Sequence, residues 1–146
     1  MIFFEDVIPM RLAEGAKMHF KKYMTDAGWD LFVSRDITVN PNEIVDVHTD
    51  VYTNIPPGLY GRITGRSSTL RKHRCHVNEG VIDSGFTGEL FICVENVGTE
   101  PFYIKKGMRL AQIIFGRIAP VMLVQVSEKN MPIGVRGDSG FGSTGI

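Results

Sequence analysis

The sequence predicts an all-β domain, a sandwich, jelly roll or barrel of many short strands, with one short helix and an extended C-terminal arm. Three observations predict it. Apolar and polar residues alternate with period two in several runs. Turn chemistry interrupts these runs at short, regular spacing. Only one segment, residues 66–74, has the composition of a helix. At 146 residues and 43% hydrophobic content the chain suits one domain with a real core.

The first strands are read in "WDLFVS" (29–34) and "ITVN" (37–40). In "EIVDVHTDVYTNI" (43–55) Val45, Val47, Val51 and Ile55 share one face, and Asp46, His48, Asp50 and Asn54 the other. That is the pattern of a half-buried strand or a bent strand pair. "GLYGRITG" (58–65) is a further strand. "RSSTLRKHR" (66–74) then reads as a helix of about two turns, with Ser67 and Ser68 as N-cap candidates. "GELFICVENV" (88–97) and "LAQIIFGRIA" (110–119) are apolar on both faces and are expected to be central strands. "NPNE", "IPPG", "DSGFTG", "NVGTEP" and "KKG" supply the turns. Residues 1–128 form the predicted domain, and 129–146 the extended arm.

Composition excludes several classes. Sixteen basic residues balance sixteen acidic ones, so bulk charge gives no argument for a nucleic-acid or membrane partner. No apolar run is long enough to span a membrane, and no signal peptide is evident. Cys75 and Cys93 lack zinc-type spacing, which makes a reducing cytoplasm the expected compartment, a host cell's if the source is viral.

Four constellations could carry chemistry, and each has a plainer reading. "GRSSTLRK" places Arg66, Ser67 and Ser68 at a helix start, either a phosphate cradle or plain capping with solvated cations. Asp83, in "GVIDSGFTGEL", sits between strand-forming residues and a turn. It is either a general base or the first residue of the turn. Phe86, an aromatic in that turn, is expected to pack on something. "TDAGWDL" carries Asp26 and Asp30, a carboxylate pair suited to Mg²⁺ or an ordinary loop. Gln112, within an apolar strand, either links strands or faces a site. "HRCH" is too compact for a tetrahedral metal site, the RGD tripeptide carries no weight, Trp29 is expected to pack, and Met108 and Met122 read as core.

The tail "RGDSGFGSTG" (136–145) cannot bury enough apolar surface to offset the entropy of ordering it, yet it holds Phe141 between two glycines. In sequence order, "DAGWDL", "GRSS", "GVIDSGFTGEL", "GMRLAQ" and "RGDSGFGSTG" resemble the five motifs of the trimeric dUTP diphosphatases, or dUTPases. The resemblance covers about residues 24–145.

It implies a distorted jelly roll assembled as a homotrimer, with sites built from more than one subunit. The implied reaction is hydrolysis of dUTP to dUMP and pyrophosphate by in-line attack of water on the α-phosphorus. Asp83 matches the aspartate that orients the water and contacts the 3′-hydroxyl. Gln112 matches the glutamine near the phosphates. Arg66, Ser67 and Ser68 match the phosphate motif, and Asp30 the carboxylate that helps hold Mg²⁺ through water. The hairpin around Val77, Gly80 and Val81 would read uracil through backbone groups, with Phe86 beneath the deoxyribose. Arg136, Phe141, Gly142, Ser143 and Thr144 match the arm that closes over a neighbouring subunit's nucleotide. Fifteen extended residues, 127 to 141, reach roughly 50 Å at most.

Three positions depart from the pattern. Phe86 replaces a usual tyrosine, Gly85 an acidic residue and Ser68 a glycine. They drift toward the related dCTP deaminases, so a deaminase or bifunctional enzyme is one alternative, and a nucleotide-binding regulator another. Against the deaminase, alignment places Cys93 where that family carries its proton-shuttling glutamate. A thiol in an apolar strand is a poor substitute.

Overall fold

The computed structural model describes residues 6–140. They form β1 (Met10–Leu12), β2 (Gly28–Phe32), β3 (Ile37–Val39), β4 (Ile44–Val47), β5 (Val51–Thr53) and β6 (Leu59–Gly65). The helix α1 (Ser67–His73) follows, then β7 (Cys75–Val77), β8 (Gly80–Ile82), β9 (Ile92–Asn96), β10 (Phe102–Ile104) and β11 (Arg109–Arg117). One sheet has the order β2-β11-β6-β8, the other β4-β9-β7, and β1-β5 and β3-β10 form two further pairs. Every pairing is antiparallel. This is the expected β jelly roll, and β9 and β11 are interior strands as their apolar runs predict.

Period two sets the core. Leu31 on β2 pairs with Ala111, and Ile113 with Ile63 on β6, and these four are buried. Val47, Val77, Ile92 and Val94 of the second sheet belong to the same core. Each valine, leucine or isoleucine among them contributes about 1.5–3 kcal/mol by leaving water. The residues between them face outward, and in the first sheet this outer row forms the site.

Several expectations need correction. The run 43–55 is the bent pair, breaking into β4 and β5 at Asp50, whose φ is +53°. Asp50 does not share a solvent face with Asp46: it is buried. Arg35 clamps it with both a 3.0 Å and a 2.6 Å hydrogen bond, and the Ser34 hydroxyl donates at 2.6 Å. The Arg35 guanidinium, then the Ser34 hydroxyl, hold the Asp50 carboxyl below its usual range. Neither serine caps α1. Arg66 occupies the N-cap position without a side-chain cap, and Arg74 closes the helix with φ +55°. The segment around Val77 to Val81 is not a paired hairpin. β7 pairs with β9 and β8 with β6, so residues 78–79 cross between sheets. On β9 only Ile92, Val94 and Asn96 are buried, while Cys93 and Glu95 are half-buried. Met108 packs against the core, but Met122 is 85% exposed. It lies in a stretch, Arg117 to Ser139, that is exposed throughout. The strands β1 and β10, of three residues each, are additional to those read in the sequence.

A cavity of about 540 Å³ lies beside β2 and β11, lined by Met10, Trp29, Leu59 and Phe115 and rimmed by Asp6, Lys21 and Arg117. His19 lines it and is buried, its Nε2 without a hydrogen-bond partner among the described residues. Burial lowers its pKa from 6.5 to about 4. The native state therefore refuses a proton that the unfolded chain accepts below pH 6.5. Stability is expected to fall as pH drops from about 6.5 toward 4, by roughly 3 kcal/mol in all. The Asp50 contribution acts lower, present above the ordinary carboxyl pKa of about 4 and lost as pH falls through its depressed value. Melting temperatures between pH 7 and 4.5 check this: His19→Phe should flatten the slope, and an unchanged slope would assign it elsewhere.

Candidate functional site

The outer row of the first sheet builds a cleft. Asp30 on β2 lies opposite Gln112 on β11, which lies opposite Thr64 on β6. Beyond β6 the chain turns into α1. A bulge between Arg109 and Ala111 makes this junction. It leaves the Leu110 carbonyl outside the β2 ladder, where it accepts from the Arg66 N–H at 3.2 Å and the buried Thr69 hydroxyl at 2.6 Å. The start of α1 is thereby pinned to β11, with Arg66 and Ser67 beside Asp30.

The resulting cleft, of about 560 Å³, is lined by Asp30, Arg66, Ser67, Gln112, Arg109 and the loop 20–28. Arg66 Nε meets Asp30 Oδ1 at 3.0 Å, and Arg109 Nη1 meets Oδ2 at 3.1 Å. Arg66 also donates to the Arg109 carbonyl at 3.1 Å. The Gln112 amide donates to the Gly65 carbonyl at 3.4 Å, so Gln112 both links strands and faces the cleft. Gly28 leaves room beside it, because a Cβ there would displace the Gln112 amide. Asp26, also on the rim, accepts from the Tyr23 N–H. Ser68 follows within α1 but does not line the cleft.

A second group lies at the far end of β6. Val81 and Gly80 on β8 pair with Arg62 and Ile63, and Ile82 with Gly61. Asp83 follows, opening a turn closed by the Phe86 N–H to its carbonyl at 3.2 Å. The Gly85 N–H and the Ser84 hydroxyl both donate to the Ile55 carbonyl, each at 3.0 Å, which fixes the turn on the body. The Asp83 side chain is exposed and takes no part in these bonds, so its carboxylate is not consumed by the turn. Phe86 is 45% exposed, with its ring over Gly88. Val77 is buried, leaving only its backbone for recognition.

One chain therefore brings Asp30, Arg66, Ser67 and Gln112 together, and Gly80, Val81, Asp83 and Phe86 together, but not the two groups. Asp83 and Arg66 bracket six residues of β6, about 20 Å. That is further apart than the sugar and the phosphates of one nucleotide. Arg136 is exposed, in a turn closed by the Ser139 N–H to its carbonyl. Phe141, Gly142, Ser143 and Thr144 lie outside the described residues. Sequence reasoning missed Arg109, Lys21 and Lys22 as cleft residues. The one signal for Arg109 was a cation three residues before Gln112.

A jelly roll with a cation-rich cleft at a sheet-to-helix junction defines a protein that binds phosphate groups on an all-β scaffold. The dUTPase family model matches residues 14–145, and the chain belongs to that family. It is 37% identical to the deoxyuridine 5′-triphosphate nucleotidohydrolase of Fowlpox virus (strain NVSL), over 97% of this chain and 99% of that one. It is 40% identical to the mouse protein of the same name, over 93% of this chain and 83% of that one. Among solved structures, the Staphylococcus bacteriophage 80alpha dUTPase with dUPNHPP superposes with a TM-score of 0.90 at 28% identity. That match covers 97% of this chain and 99% of the phage chain.

Proposed function

We propose that this chain hydrolyses dUTP to dUMP and pyrophosphate, as a homotrimer with shared sites. The observation that carries the reading is the convergence of Arg66, Ser67, Asp30 and Gln112 in one cleft beside the start of α1. Arg66 with Ser67 and the Ser68 backbone hold the phosphates, and Gln112 lies beside them. Asp83 orients water for in-line attack on the α-phosphorus. Val77, Gly80 and Val81 present backbone groups to uracil, and Phe86 packs under the deoxyribose. The separation of the two groups within one chain supports a site completed by a neighbouring subunit. The exposed apolar side chains of residues 121–126 support a tail that leaves its own subunit, and Arg136, Phe141, Gly142, Ser143 and Thr144 close over the nucleotide.

The residues present fit Mg²⁺ held through water. Both Asp30 oxygens accept from guanidinium groups and keep lone pairs for metal-bound water, while the two flanking cations oppose a bare ion against the carboxylate. Asp26 adds a second carboxylate on the rim. Mg²⁺ supplies charge neutralisation of the triphosphate when bound. No helix among the described residues is long and apolar enough to cross a membrane, and we place the enzyme in the cytoplasm, a host's if the source is viral.

Cys93 argues against deamination. On β9 it lies opposite Asp46 of β4, and the Asn78 amide donates to its sulfur at 3.6 Å. Glu95 is two residues further on, fixed opposite Ile44 and His76. Product analysis tests the reading. Purified protein with Mg²⁺ should release dUMP and pyrophosphate from dUTP and no ammonia from dCTP. Ammonia from dCTP would replace the proposal with the deaminase.

A further inference from the structure

The two guanidinium groups of the cleft, Arg66 and Arg109, are both engaged by Asp30. The cleft is also lined by Lys22 and by Lys21, which stands on the border between it and the cavity beside Trp29. Lys21 Nζ lies 4.9 Å from the centroid of the Trp29 ring and Lys22 Nζ 5.2 Å from that of Tyr23. Neither ammonium is paired with a carboxylate among the described residues. The cleft's carboxylates, Asp26 and Asp30, equal its guanidinium groups in number, so its excess positive charge equals that of the two lysines.

Their position is set by the backbone of the site. Phe20 and Asp30 exchange both backbone hydrogen bonds, at 2.6 and 3.3 Å, closing residues 21–29 into a loop whose base is Asp30 itself. Within it the Asp26 N–H donates to the Tyr23 carbonyl, and the Tyr23 N–H donates back to the Asp26 carboxylate, each at 3.0 Å. The lysines are thus held at a fixed place relative to Asp30 and Arg66, while their own stems stay flexible. A lysine ammonium is a compact point charge with three rotatable donors. That suits phosphate oxygens which shift as a bond breaks.

We propose that Lys21 and Lys22 bind the β- and γ-phosphates of the nucleotide, the part that leaves as pyrophosphate, and so favour triphosphate over monophosphate. The proposal rests on the dUTP reading and adds two binding residues to it. In Lys21→Gln/Lys22→Gln, KM for dUTP and the inhibition constant of inorganic pyrophosphate should each rise roughly tenfold, with a far smaller change in kcat. Inhibition by dUMP, which lacks those phosphates, should not move. Lys22→Gln alone spares the contact of Lys21 with Trp29 and should show the same pattern at smaller size. An unchanged pyrophosphate constant, or an equal rise for dUMP, would overturn the proposal. If the wild-type protein fails to hydrolyse dUTP, the reading beneath falls by itself. Calorimetric binding of pyrophosphate to wild type and double variant then still decides the role of the lysines.

Discussion

Replacing Asp83 by asparagine is expected to lower kcat by about 10²–10⁴-fold while changing substrate affinity far less. The turn that presents Asp83 is held by backbone groups and by Ser84, and its carboxylate contributes no bond to that turn. The substitution should therefore leave the local structure in place. Asparagine keeps the size and can still accept one hydrogen bond, but it cannot accept a proton from water or carry the negative charge that orients it. Steady-state kinetics with dUTP, beside a thermal melt of the same sample, separate the two effects. A variant with near wild-type kcat removes Asp83 from the chemistry. A variant with a lowered melting temperature makes it a structural residue.

The parts of this site that were legible in the sequence are those that break a pattern. Gln112 stands out because an amide interrupts an apolar strand, and Asp30 because a carboxylate follows Trp29 within one. Their meeting was not legible, since it depends on β2 pairing with β11 in one register, with a bulge at Leu110. Arg109, Lys21 and Lys22 break no pattern: cations at strand ends and in loops are common on any surface. The fold shows the same division. The alternation in 43–55 and the apolar runs of β9 and β11 announce strands and their interior places. The left-handed conformation at Asp50 leaves no trace, because what stabilises it is Arg35 and Ser34, brought there by tertiary structure. The separation of Asp83 from Arg66 is equally invisible, because they lie only seventeen positions apart in the chain. Only the antiparallel register of β6 and β8 puts them at opposite ends of β6.

Deleting residues 135–146 is expected to leave the fold and its melting temperature close to wild type and to cut turnover by about 10²–10³-fold, the scale of losing a charge-stabilising donor. The structural half of this expectation follows from burial. Residues 135–139 are exposed, Val135 fully so, and their hydrogen bonds are local turns, Gly137 to Gly134 and Ser139 to Arg136. Among the described residues none of these bonds reaches the core. The catalytic half follows from composition. On the proposed reading, Arg136 with Ser143 and Thr144 would offer a guanidinium and two hydroxyls to phosphate oxygens, and Phe141 a face to the base. Phe141→Ala alone should weaken nucleotide binding by ~1–3 kcal/mol, the scale of one base–aromatic stack. Sedimentation and a thermal melt of the truncated protein, measured beside its turnover of dUTP, give the decision. Loss of turnover with assembly and stability intact makes the arm a closing device. If the truncated protein unfolds or dissociates, the arm holds the structure together instead. The exposed apolar stretch at 121–126, retained in this truncation, is then insufficient on its own to join one subunit to the next.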